Sequence, residues 1–314
     1  MILLFKRTFL ILFSGLLLAS APLFAGGSRE ERRNETAASG RADASAVRVF
    51  VSIPPQLFFV QEIGGGLVEA EVLVGPGQSP HAYEPTPSQM TALSRADLLF
   101  LVGVEFEKAL LPRIEKNLPE LTLVETQAGI DYRRLEEHDH DEDEEDHDEA
   151  GGRDPHVWMD PENGKILARN MRDALIDTAP GHRESFEANY RDLAERIDGL
   201  DRELAAILGP LEGSTLFVFH PAFGYFADAY GLEQEAVETG GKEPSARELV
   251  AIIEKAKEEG VKVIFVQPQF SMRAAETAAE AIGGAVVPID PLAQDWFENL
   301  RRIGETVRRE LGES

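Results

Sequence analysis

Four residues in this chain have the type and setting to hold a metal ion. His81 stands in Ser79-Pro80-His81-Ala82-Tyr83-Glu84-Pro85, and His156 in Asp154-Pro155-His156-Val157-Trp158-Met159-Asp160-Pro161. His220 closes the apolar run Leu216-Phe217-Val218-Phe219 and precedes Pro221, and Asp290 lies in Pro288-Ile289-Asp290-Pro291. They are spaced 75, 64 and 70 residues apart, so no local finger can form and the fold must bring them together. Flanking prolines fix φ and limit loop freedom, which helps to hold donors at fixed geometry. Three imidazoles and a carboxylate suit Zn²⁺, at about 2.0–2.1 Å for nitrogen. The same set accepts Mn²⁺, Co²⁺ or Ni²⁺, although manganese is better served by more carboxylate. A single histidine is more often a hydrogen-bonded loop or core residue. The metal reading rests on three of them sharing one context.

The other histidines read differently. His182, between Gly181 and Arg183 near a helix start, reads as exposed and structural. His138, His140 and His147 lie in Glu136 to Glu149, fourteen residues of which eleven are acidic. Nothing there can pack, so the tract is a solvated loop, with 136–152 as its span. Its three histidines form a secondary, weak cation collector, against the plainer reading of an acidic linker with incidental histidines.

The elements that must position these residues follow from periodicity. Val47 to Ile53 predicts a strand, Gln56 to Ile63 a helix, and Val68 to Val74 a strand ending at Gly75-Pro76-Gly77. Thr86-Pro87-Ser88-Gln89 opens a helix with a capping hydroxyl, a proline at the first helical position and a glutamine that reaches back. Asp97 to Val102 and Leu121 to Val124 are further strands, and a helix runs from Pro161 to about Thr178. Phe186, Tyr190, Leu193, Ile197, Leu200, Leu204 and Ile207 then recur at helical spacing, which predicts some 25 residues of helix about 38 Å long. It reads as a rigid strut between two lobes or, more plainly, an amphipathic surface helix. Beyond it, strands at Thr215 to His220, Val261 to Val266 and Ala285 to Ile289 alternate with helices at Ala246 to Glu259, Met272 to Ile282 and Asp295 to Leu311. Strand–helix alternation implies α/β architecture: two lobes, each a parallel sheet flanked by helices, joined by one long rigid helix, with the metal site in the cleft. In such sheets ligands bind at the strand ends, where three of the four candidates fall.

Composition narrows the function. The chain has 314 residues and a formal net charge of −25, which argues against nucleic acid and anionic membrane surfaces and suits a collector of cations. Lys6 and Arg7, an apolar run from Phe9 to Leu18 and a small-residue cut near Leu23-Phe24-Ala25 read as an export signal over 1–25. Its removal takes the net charge from −25 to −27. Residues 26–46 read as a disordered leader, 47–180 as the first lobe, 181–210 as the linking helix and 211–314 as the second lobe. There is no cysteine, hence no disulfide and no lipid-attachment site, which predicts a free, soluble, monomeric periplasmic protein.

The motifs SPHAYEPTPSQ, DPHVWMDP, FVFHPAFGYFADAYGL, GKEPSARELVAIIE and IDPL resemble those of the metal-binding solute-binding proteins of ABC transporters, of the periplasmic high-affinity zinc-uptake type (cluster A-I). The resemblance spans about Val47 to Leu311. It implies one metal between two lobes, held by His81, His156, His220 and a carboxylate that maps to Asp290. It also implies delivery of Zn²⁺ to a membrane permease and its ATPase, and no enzymatic activity. His220 stands where manganese binders of the family commonly carry Glu, which favours zinc. Members of the zinc type often carry a disulfide in the second lobe, from which this chain departs. Glu84 and Asp160 are the expected partners that orient the rings. Rival readings are binding of Mn²⁺ or another divalent ion within the same family, a zinc hydrolase, for which no HExxH motif is present, and a surface adhesin.

Overall fold

The computed structural model describes residues 46–134, 152–238 and 246–312. Strand β1 (Val47–Val51) runs almost directly into helix α1 (Pro54–Gly64), whose two prolines occupy the first turn, where no intrahelical N–H is lost. Strand β2 (Val68–Val72), helix α2 (Pro87–Leu93), strand β3 (Leu98–Leu101), helix α3 (Glu105–Asn117) and strand β4 (Thr122–Glu125) follow. Helix α2 begins as its sequence predicts: the Gln89 amide donates to the Thr86 hydroxyl at 3.2 Å, and the Gln89 side chain accepts from the Thr86 amide at 3.0 Å.

Helices α4 (Pro161–Thr178) and α5 (Arg183–Leu208) separate the first sheet from the second. The second is assembled from β5 (Thr215–Val218), α6 (Gly224–Ala229), β6 (Glu233–Ala236), α7 (Ala246–Glu258), β7 (Val263–Val266), α8 (Met272–Ile282) and β8 (Ala285–Pro288), and α9 (Trp296–Gly312) ends the described chain. Both sheets are wholly parallel and share one strand order, β2-β1-β3-β4 and β6-β5-β7-β8. The expected pair of parallel sheets flanked by helices and joined by a long helix is therefore what the chain forms.

Helix α5 is 26 residues long, about 39 Å at 1.5 Å per residue. It buries Phe186, Leu193, Ile197, Leu200, Leu204 and Leu208. It packs on α1, α4 and α9, so it is braced on several sides. The α9 contact is close: a β-carbon on Gly304 would come within 2.5 Å of Leu204 Cδ2. Among the described residues no helix is long and apolar enough to cross a membrane.

In each sheet the strand order reverses beside the first strand, the place where open α/β sheets bind ligands. In the first sheet this point is filled by the buried Gln56. Its Oε1 accepts from the amides of Ser52 and Ile53, and its Nε2 lies against the carbonyls of Phe100 and Leu101 and the Thr126 hydroxyl. In the second sheet the corresponding point carries His220, two residues past β5. Gln267, one residue past β7, donates from Nε2 to the His220 carbonyl at 2.9 Å and accepts the His220 amide at 3.1 Å.

Three elements lie outside the sequence-based expectations: α3, α6 and β6. Strand β6 is Glu-Gln-Glu-Ala at a sheet edge, with no apolar run to reveal it. Helix α3 carries Pro112 in its interior, and α6 spans only six residues.

Candidate metal centre

His81 sits in a 3-10 turn, Pro80–Ala82, whose preceding Ser79 hydroxyl accepts the His81 amide at 3.3 Å. His156 precedes a second such turn, Val157–Met159, which leads into α4. This turn is pinned from the other side: the Trp158 indole donates to the Pro291 carbonyl at 2.8 Å, and the Trp296 indole donates to the Trp158 carbonyl at 2.7 Å. His220 is buried and stacks on Phe270 at 4.6 Å between ring centroids.

The three rings meet through their Nε2 atoms. His81 Nε2 lies 3.1 Å from His220 Nε2, which lies 3.3 Å from His156 Nε2. Among the described residues these form the one group of three or more His, Cys, Asp or Glu side chains whose ligand atoms converge, all within 4.8 Å of one another. Each Nδ1 faces a carboxylate: Glu105 at 3.2 Å for His81, Asp154 at 2.7 Å for His156, and Glu238 for His220. A carboxylate accepts, so Nδ1 carries a proton, and a ring in its neutral form then turns an Nε2 lone pair inward. Lone pairs so close repel unless a cation lies between them. Donors set tetrahedrally at about 2.0–2.1 Å from zinc are about 3.3–3.4 Å apart, close to the spacing found here.

The electrostatics agree. Burial, then the neighbouring His156, holds the His81 ring below 6.5, with Glu105 opposing. Burial, then His156 and His81, holds His220 well below 6.5. Asp154 lies below the usual carboxylate range: burial would raise it, but the His156 contacts and Arg133 outweigh that. Two rings are thus kept neutral and ready to donate at neutral pH.

Asp290 is placed outside this trio. Its Oδ1 accepts from Gln269 Nε2 and from the Leu292 amide, both at 2.9 Å, and its carbonyl accepts from Asn299 Nδ2 at 2.6 Å. A strand-end Asp before Pro signals a ligand and a side-chain-capped turn equally well, and here it caps the turn. The expected ring-orienting partners are also corrected. Glu84 is exposed, and Asp160 caps α4 through the Glu162 amide at 2.8 Å. Glu105, Asp154 and Glu238 occupy those places. His182 is half-buried against Phe186, not exposed. His138, His140 and His147, with the signal and the leader up to residue 45, lie outside the described residues.

The family model for the periplasmic zinc-uptake complex component A matches residues 49–309. The high-affinity zinc uptake system protein ZnuA of Paracoccus denitrificans is 34% identical over 309 residues, covering 86% of this chain and 94% of its own length. A crystal structure of ZnuA aligns with a TM-score of 0.77 at 36% identity, over 85% of this chain and 99% of that one. A ZnuA deletion mutant with zinc bound aligns at 0.76 and 35%, over 85% and 98%. The matched span takes in all three converging histidines and both sheets save Val47 and Arg48 of β1, and the chain belongs to the family of the periplasmic zinc-uptake complex component A.

Proposed function

We propose that this protein is a periplasmic solute-binding protein that captures one Zn²⁺ between His81, His156 and His220 and delivers it to an ABC-type permease and its ATPase. The carrying observation is the convergence of three Nε2 atoms, each backed by a carboxylate on Nδ1. An all-imidazole set favours zinc over manganese, which prefers oxygen donors. The zinc-bound ZnuA mutant of the same fold supports this cargo. The chain acts by binding and release, without catalysis. Because α5 is braced by α1, α4 and α9 and the His156 turn is pinned by Trp158 and Trp296, release proceeds by movement of the short turn that carries His81, not by a wide swing of the lobes.

The proposed organisation is an exported chain with a signal over 1–25, a leader to 46, lobes at 47–180 and 211–314, and α5 as the link. The acidic segment, with His138, His140 and His147, serves as a weaker collector, on the strength of its composition alone. Calorimetric titration of chelator-stripped protein is expected to show one tight zinc per chain and weaker binding lost on deleting residues 136–149. A His81/His156/His220→Ala triple variant that kept the tight equivalent would overturn the assignment.

A further inference from the structure

Arg133 lies just before the acidic segment, and Asp154 lies just after it. Between them and the segment, Arg134 and Arg153 pair as an antiparallel bridge. The backbones of Arg133 and Asp154 are joined, the Asp154 amide donating to the Arg133 carbonyl at 3.1 Å. Their side chains are joined as well: Arg133 Nη1 donates to Asp154 Oδ2 at 3.1 Å. Asp154 is fully buried, and its Oδ1 is occupied by the His156 amide at 2.9 Å and by His156 Nδ1 at 2.7 Å. The carboxylate thus links a guanidinium to a zinc-facing ring.

The same arginine reaches the second lobe. Its Nε donates to Asp228 Oδ2 at 3.0 Å, and its amide donates to the Tyr225 hydroxyl at 3.1 Å. That hydroxyl donates onward to the Asp154 carbonyl at 3.1 Å. The guanidinium lies where a side chain at position 224 would begin: a β-carbon on Gly224 would stand 1.7 Å from Arg133 Nη1 and 2.3 Å from Cζ. The glycine that opens α6 makes room for the arginine.

We infer that Arg133 is a positioning residue of the metal centre, setting the His156 ring through Asp154 and fastening that ring to α6 of the second lobe. The physical reason is that a buried carboxylate stripped of one partner must rotate, recruit another donor or take a proton. Each of these weakens the acceptor that fixes His156 Nδ1–H and hence the direction of Nε2. His156 is thereby held in register with His220, which the second lobe supplies. This inference rests on the proposed zinc site.

The test uses the full chain with three substitutions: Arg133→Met, Arg133→Lys and Gly224→Ala. Zinc affinity is read by competition with a chromophoric chelator, and the His156 ring by ¹⁵N NMR of the metal-free protein. Outer partners of metal-bound histidines contribute about 10–100-fold in affinity, and one step further out we expect about tenfold loss for Arg133→Met. Gly224→Ala, which removes no polar group but displaces the guanidinium, should weaken binding in the same direction. Arg133→Lys should recover part of the loss, and the His156 ring signals should shift in Arg133→Met and Gly224→Ala. Arg133→Met and Gly224→Ala proteins with zinc affinity within twofold of the parent and unchanged ring signals, whatever their melting temperatures, would overturn it. If the parent itself bound no zinc, the proposed function would fall, and the metal-free ring signals would still decide the role of Arg133.

Discussion

His156 Nε2 and His220 Nε2 lie 3.3 Å apart, although 64 residues separate them and they come from opposite sheets. One is held by a proline-bracketed turn after the first sheet, the other by the end of β5 and its clasp to Gln267. With His81 Nε2, 3.1 Å from the same His220 nitrogen, this pair bridges the two halves of the site, and it sets the first expectation. His156→Ala or His220→Ala should each lower zinc affinity by at least about a hundredfold, since each removes one of three protein donors from a site of the order of 10 kcal/mol or more. Chelator competition on purified protein measures this. A loss below tenfold in both variants would mean that the imidazoles are not the donors.

Acid should release the metal in a window set by the shifted rings. His220 and His81 titrate below 6.5 because burial, and then neighbouring imidazoles, disfavour their charged forms. On these two rings protons therefore compete with zinc only below about pH 6.5, and affinity should be flat from pH 8 to that point and fall beneath it. In the metal-free protein the two rings follow the same sign: they bind more protons in the unfolded chain below 6.5, so their contribution to stability is present above that pH and lost as pH drops through the lowered values. Burial raises the Glu107 carboxyl to about 7 and that of Asp160 to about 6, which act in the opposite sense, so the ring contribution is read as the difference from a His81/His220→Ala variant. Zinc titrations and thermal melts between pH 5 and 8 test both statements, and a steep loss of affinity already between pH 8 and 7 contradicts them.

Asp290 provides a discriminating control. Its carboxylate serves Gln269 and the Leu292 amide, not the imidazole trio. Asp290→Ala should leave zinc affinity within about threefold of the parent while lowering stability by about 1 kcal/mol, the usual worth of such hydrogen bonds. A drop in zinc affinity comparable to that of His220→Ala would instead restore Asp290 as a ligand.

The seam between α5 and α9 should report on stability alone. Placing a methyl on Gly304 puts it 2.5 Å from Leu204 Cδ2, in a packed helix interface. Gly304→Ala is expected to cost about 1–3 kcal/mol by overpacking, with zinc affinity per folded molecule unchanged. Denaturant melts with and without chelator separate the two effects.

Zinc itself should stabilise the native state. A ligand at a thousand times its dissociation constant adds about 4 kcal/mol, or roughly 8–16 °C for a chain of this size, and chelation should reverse the shift. The His81/His156/His220→Ala variant should show no such shift.

The sequence alone determined the elements other than α3, α6 and β6, and it singled out the histidines. Helical spacing marked α5, the Thr86-Pro87-Ser88-Gln89 signal marked the start of α2, and shared proline-rich strand-end settings singled out His81, His156 and His220. These are local signals, carried by residues a few positions apart. The tertiary structure decided which carboxylates serve the rings. Among 56 acidic residues, nothing local distinguishes Glu105 and Glu238 from the rest, and only Asp154, two residues from His156, lies beside its ring in the sequence. Two of them reach their rings across 24 and 18 residues of chain, one at the start of α3 and the other just past the polar edge strand β6. The same holds for Arg133, which faces Asp154 only because the chain folds back on itself at the Arg134–Arg153 bridge. It also holds for Asp290, whose strand-end setting reads alike for a metal ligand and a turn cap until its neighbours in space are known. Residue type and spacing nominate donors, but the direction in which a donor points depends on distant segments that close around it.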